Sequence, residues 1–233
     1  MRRLLPLLMA LGGLSLTGLA GANERLPVTQ VRFSADGAQV MTVVTGERDG
    51  SGFGHAQVTV LDTRTGRVTY QAARTADAHP MGVLNALLTT PATRAAVAPF
   101  TTRPLSTPRY QRADPAPYPR WQDGMRAGQR QVTAVPLWSR RVPVQLDVVR
   151  LPGRCPYPEM LPPGESPAGV RLTVNGQEVW RDRTLPAARA CATRYTLERV
   201  DVQGNRALFT LRALTPGFEG PDAMPVFVAT RLR

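Results

Sequence analysis

The stretch Glu47-Arg48-Asp49-Gly50-Ser51-Gly52-Phe53-Gly54-His55 gathers more chemically able side chains than any other part of the chain. Oxygen-bearing residues among turn formers are the raw material of a calcium loop. A full loop of that kind also needs acidic or amide side chains at alternate positions and a distal bidentate glutamate, and these are missing here. Asp49, Ser51 and His55 supply the residue types of a hydrolytic triad. A triad works through three-dimensional roles, however, and no Gly-x-Ser-x-Gly elbow presents the serine. A glycine-rich connection between strands is the simpler account.

A second carboxylate pair lies in Gly217-Phe218-Glu219-Gly220-Pro221-Asp222. Two acids held close together push their pKa values apart, so Glu219 and Asp222 could act as an acid/base pair or hold a metal. The structural alternative has Gly217 and Gly220 turning the backbone, Phe218 plugging the core and Glu219 pairing with an arginine such as Arg189. Asp182 with Arg183 or Arg189 is a second candidate pair, and an arginine fork on a carboxylate fixes two loops geometrically. Tyr110, Tyr118 and Trp121 interleave with Arg109, Arg112, Arg120 and Arg126. That pattern can stack bases and hold phosphates. The proline density around it favours a loop packing its aromatics on a β core, and nucleic acid is not the expected partner. No cofactor, no metal and no catalytic residue is assigned. Asp49, Ser51, His55, Asp182, Arg189, Glu219 and Asp222 mark binding or structural loops.

These loops must be positioned by a chain of 233 residues that opens like an export signal. Arg2 and Arg3 precede an apolar run from Leu4 to Leu19, and Ala20-Gly21-Ala22 supplies the small residues of a cleavage site. The run is about 16 residues, short of the roughly 20 that span a bilayer. Cleavage after Ala22 and a secreted or periplasmic location are therefore expected, a retained anchor being the alternative. No membrane span is read in the mature chain. Export places Cys155 and Cys191 in an oxidising compartment, where one disulfide is the first reading. Two buried thiols or part of a metal site are the alternatives, the latter with just two distant histidines, His55 and His79, to complete it.

Every basic residue is arginine. Without Arg2 and Arg3, 27 arginines stand against 17 acidic residues, a net charge of +10. A cation of that size is drawn to anionic envelope polymers, and such polymers or another envelope protein are the expected partners. The arginines are scattered, so a solvated basic surface competes with a dedicated polyanion site.

Short alternating segments divided by turn formers dominate the mature chain. Val28–Phe33, Gln39–Thr45, Gln57–Leu61 and Arg67–Gln71 read as a β-meander broken by Ala35-Asp36-Gly37, a loop from Gly46 to Gly54, and Thr63–Gly66. Phe33–Gly37 with Val60-Leu61-Asp62 resembles one propeller blade, but a propeller needs at least four and one is found. Met81, Val83, Leu84, Leu87 and Leu88 space one apolar helical face over Pro80–Leu88. Thr90-Pro91 caps a second short turn to Val97, ended by Pro99. Thr101–Pro119 holds five prolines and reads as an extended linker or long surface loop. Strands follow at Val132–Trp138 and Val142–Arg150 around Ser139-Arg140-Arg141, and at Arg171–Val174 and Gln177–Trp180 around Asn175-Gly176. Further strands are Tyr195–Val202, Ala207–Leu214 and Pro225–Leu232. Asn-Gly marks a tight type I′ hairpin.

Several of these segments together resemble the predicted secreted proteins grouped as domain of unknown function 2259. They are Phe33-Ser34-Ala35-Asp36-Gly37, Asp49-Gly50-Ser51-Gly52-Phe53, Cys155, then Asp182, Pro186, Arg189 and Cys191 with Tyr195, and Gly217 to Asp222. Ala188 stands where that family has serine, and Gly54-His55 replaces its proline-aromatic pair. The resemblance implies an exported protein with no established activity and supports the cysteine pairing.

The expected fold is all-β and mainly antiparallel: an N-terminal meander packed with a C-terminal β-sandwich or open barrel, with one short helical insertion. The expected division is 1–22 signal, 23–100 meander and helical segment, 101–131 linker or loop, and 132–233 antiparallel region, with 23–233 as one compact domain the alternative. The expected function is a non-enzymatic binding or structural module of the cell envelope. An envelope hydrolase using the Asp49–His55 or Glu219/Asp222 loops is one alternative, and a polyanion-binding protein is the other.

Overall fold

The structure is a computed structural model that describes residues 23–113 and 118–232; the export signal expected over residues 1–22 lies outside them. Among the described residues, thirteen strands form three open antiparallel sheets. The first is a meander of β1 (Val28–Phe33), β2 (Gln39–Glu47), β3 (Gly54–Asp62) and β4 (Val68–Ala76), in that order. Helices α1 (Pro80–Leu88) and α2 (Pro91–Val97) follow, then the short strands β5 (Tyr110–Gln111) and β6 (Met125–Arg126). The second sheet takes β7 (Arg130–Leu137), β8 (Arg140–Arg150), β9 (Ala168–Val174) and β10 (Gln177–Arg181) in the order β10-β9-β8-β7. The third takes β11 (Arg194–Gln203), β12 (Arg206–Pro216) and β13 (Pro221–Arg231) in the order β13-β12-β11-β5, with β6 also paired to β11.

The layers follow from which strands are apolar on both faces. In β2, Met41 and Val43 pack with Val83, Leu84 and Leu87 of α1, while Val40 turns the other way to meet Leu208 and Ala229 of the third sheet. β12 is buried along nearly its whole length: Ala207, Phe209, Leu211 and Ala213 join the second sheet's core, and Leu208 joins the first sheet's. Strands covered on two sides must be apolar on two sides, so their sequences run nearly continuous instead of alternating. β13 divides in the same way, Val228 going to one core and Ala229 to the other. The N-terminal meander thus packs, beneath its helices, on a C-terminal sandwich.

Local chemistry sets the turns. Asn175 at φ 50° and Gly176 at φ 80° close the β9–β10 hairpin as the Asn-Gly pair requires. Gly54 tolerates no side chain, because a Cβ there would lie 2.1 Å from the Ala78 carbonyl oxygen. The Thr90 hydroxyl accepts from the Thr93 amide at 3.4 Å and caps α2.

Several expectations are corrected. The helical insertion holds as expected, as α1 and then α2 ending at Val97, but a 3-10 turn through Ala98–Phe100 follows it; proline is tolerated at the start of such a turn. Glu47 and Gly54 belong to strands, so the loop between β2 and β3 is shorter than Gly46–Gly54. The β7–β8 turn is Trp138-Ser139, because Leu137 pairs with Arg140. Segment 101–131, read as a linker or long surface loop, has backbone bonds to two sheets. The Ser106 amide donates to Val31 O at 2.8 Å and the Arg109 amide to Val200 O at 2.7 Å, so the proline-rich strap covers the edges of both β1 and β11. Phe218 does not plug the core; it is 89% exposed at the tip of the loop between β12 and β13.

Candidate functional site

Two of the singled-out loops and one buried arginine meet at a cavity of about 380 Å³ between the first and third sheets. β3 and β4 supply His55, Gln57, Thr59, Leu61 and Gln71; β12 and β13 supply Thr215, Asp222, Val226 and Phe227; Glu24, Arg48 and Arg189 complete the polar wall.

One end of the cavity is ionic. Arg48 pairs with Glu24, and its second terminal nitrogen lies 3.3 Å from His55 Nδ1. Guanidinium only donates, so Nδ1 must accept, and the Thr75 hydroxyl at 2.8 Å then donates to it as well. The imidazole therefore carries its proton on Nε2. Burial, followed by the Arg48 charge, lowers the His55 pKa and keeps the ring neutral. The backbone of Glu24 is zipped to the edge of β13: its amide donates to Asp222 Oδ1 at 2.8 Å and its carbonyl accepts from Ala223 at 2.7 Å. Burial raises the pKa of both Glu24 and Asp222, and the neighbouring Asp49 charge adds to the rise in each. Glu24 Oε1 and Asp49 Oδ2 are buried without a hydrogen-bond partner. Glu24 and Asp222 thus share the charge of one arginine, and burial holds both above the ordinary carboxyl value.

The other end is a latch. Arg189 grips Asp182 with both terminal nitrogens, at 2.7 and 2.9 Å. Asp182 also accepts from the Val170 amide and from Trp180 Nε1, while the Tyr195 hydroxyl donates to Ala168 O at 2.7 Å. Burial opposes the Arg189 charge, but the Asp182 hydrogen bonds more than offset it and raise the pKa. Burial pushes the Tyr195 phenol up to about 12. Two residues beyond Arg189, Cys191 is bonded to Cys155.

His55, Arg189 and Asp222 therefore line one cavity, and Asp49 lies close enough to act on its carboxylates. Asp182 stands behind Arg189. Ser51 and Glu219 are exposed and do not line it. The Ser51 hydroxyl accepts from the Phe53 amide at 3.2 Å, a turn-forming role. The carboxylate that Arg189 holds is Asp182, whereas Glu219 sits on the exposed Gly217–Gly220 loop. Tyr110, which was grouped with arginines, packs against the sandwich core. Among the described residues no group of three His, Cys, Asp or Glu is placed to hold a metal ion, and no helix is long and apolar enough to cross a membrane. Glu24 and Thr75 were missed. Their partners are far away in the sequence or across a ladder, and no local pattern announces them.

The family model described as predicted secreted protein (DUF2259) matches residues 44–231. No curated protein and no solved structure matches the chain. The chain belongs to this predicted secreted family.

Proposed function

We propose that this member of the DUF2259 family is an exported, non-enzymatic binding module of the cell envelope whose ligand enters the cavity between the first and third sheets. Export by cleavage after Ala22, into the periplasm or the medium, belongs to the same reading. The observation that carries it is the internal cancellation of charge around the cavity. Glu24 is held by Arg48 and Arg189 by Asp182, Asp222 accepts from the Glu24 amide, and the Gln57–Thr59 pair, the Gln71 amide and the Thr215 hydroxyl lie between Leu61, Val226 and Phe227. A few neutral polar groups on apolar walls suit an uncharged ligand with one greasy face. Hydrolysis would need an activated nucleophile. The hydroxyl on His55 belongs to Thr75, on the outermost strand of its sheet, and Ser51 is engaged in its own turn.

The test is a thermal-shift screen with neutral glycans, peptides, lipid head groups, calcium, zinc, EDTA and oligonucleotides, at low and moderate salt. A ligand at about a hundred times its Kd stabilises by about 2.7 kcal/mol. The expected result is a salt-resistant rise in Tm with one neutral ligand, lost in Gln71→Ala and Thr215→Val. Shifts from every polyanion that vanish with salt would replace this reading with a non-specific basic surface.

A further inference from the structure

Four reverse turns and the end of β13 gather around a second, more open groove of about 730 Å³, lined by Arg64, Trp138, Gln177, Asn205 and Arg231 among others. Trp138 is the unusual member. It occupies the first position of the two-residue β7–β8 loop at φ 53°, where such hairpins take glycine. A bulky residue in that region is strained by its own Cβ. Burial does not repay the strain, because the side chain is 48% exposed. A strained aromatic at a loop tip, with half its surface in water, is a side chain held for contact.

The rest of the wall defines the contact. Gln177 and Asn205 offer amides that donate and accept side by side. Arg64, whose charge also acts on Asp62 in its own turn, and Arg231 belong to none of the ion pairs among the described residues, and an arginine fork suits a carboxylate. Glu178, on the same wall, is already gripped by Arg181 through contacts of 2.7 and 3.1 Å and does not repel an anion as a free acid would. An indole face takes the C–H face of a sugar ring, amides take neighbouring hydroxyls, and arginines take acid groups. We propose that this groove binds an acidic saccharide, a uronic-acid oligomer, with Trp138 as the stacking platform and Arg64 and Arg231 as the carboxylate clamps. The volume lies within the range of small-ligand sites, roughly 300–1,000 Å³. Single-stranded nucleic acid is disfavoured because its sites set several aromatics along a basic track, and this groove has one. The site is separate from the cavity between the first and third sheets.

Isothermal titration of the purified protein with trigalacturonate tests it, with maltotriose, inorganic phosphate and a single-stranded deoxyoligonucleotide as comparisons. Trigalacturonate is expected to bind, Trp138→Phe to keep its affinity within threefold, and Trp138→Gly to lose tenfold or more while its Tm rises, since glycine relieves the strain. Arg64→Gln with Arg231→Gln is expected to weaken trigalacturonate at least fivefold at unchanged Tm. Gln71→Ala, in the other cavity, is expected to leave the titration unaltered. The proposal is overturned if trigalacturonate does not bind, if Trp138→Gly binds it as tightly as the parent, or if phosphate or the oligonucleotide binds equally well.

Discussion

Glu198 shows how a single carboxylate can fix three parts of the chain. It is held by Arg212 and by Arg25, the latter at 2.7 Å, while Arg212 donates to Leu26 O at 2.8 Å and to Ala223 O at 3.1 Å. Burial opposes the Glu198 charge, but the two arginines hold its pKa below the ordinary value. Such a group adds stability above its unfolded pKa and loses it as the pH falls through the folded one. His55 acts in the same direction around neutrality: its lowered pKa favours the fold above about pH 6.5, and that gain is lost on acidification. Glu24 and Asp222 have the opposite sign. Their raised pKa values stabilise the fold while they are protonated, and that contribution is lost as the pH climbs above about 4. Asp222→Asn keeps an oxygen for the Glu24 amide and removes the buried charge. It is expected to raise stability at pH 7 and to flatten its fall as the pH rises above about 4, measured by urea unfolding between about pH 4 and 7. An Asn variant less stable than the parent at pH 7 would contradict this assignment of charge.

Among the elements, the disulfide links two irregular segments, since Cys155 lies between β8 and β9 and Cys191 between β10 and β11. It closes 36 residues of separation, which corresponds to about 3–4 kcal/mol of lost chain entropy in the unfolded state. Replacing both cysteines by serine is expected to lower stability by about that amount, and a reducing agent should then lower the Tm of the parent but not of the variant. Elements specified by their own residues were legible in the sequence. The spacing of Val83, Leu84 and Leu87 and the proline at Pro80 define α1, and Asn175-Gly176 defines its hairpin. What distant contacts decide was not. Gly54 reads as a loop residue yet sits in a ladder because Ala78 passes so close, and the prolines of segment 101–131 read as a linker although its amides pair with β1 and β11. The candidate site divides in the same way. The stretch from Asp49 to His55 and the segment around Asp222 stand out by residue type. Glu24, which joins them, is placed by a strand almost the whole chain away.

At the scale of the whole molecule, the third sheet is shared. Phe209 and Val228 serve the sandwich core, whereas Leu208 and Ala229, one residue along the same strands, serve the core beneath the meander. Unfolding either core removes one wall of the other. The expected outcome is a single transition in which far-UV circular dichroism and tryptophan fluorescence coincide. Separate transitions would instead make 23–100 and 132–233 independent units.

The same architecture bears on the order of assembly. Glu24 and Asp222 are 198 positions apart, and the Leu26 carbonyl waits for Arg212. A polypeptide made, or threaded through a membrane, from its amino end therefore releases its earliest residues long before their partners exist. Arg48 and Glu198 hold Glu24 and Arg25 earlier, but the bonds to Arg212, Asp222 and Ala223 form only when the final hairpin arrives, so the first segment to emerge is the last to be fully locked. Contacts this distant slow the search for the native state. Truncation before Pro221 would strip Glu24 of both its backbone bonds to β13, however complete the strands in between.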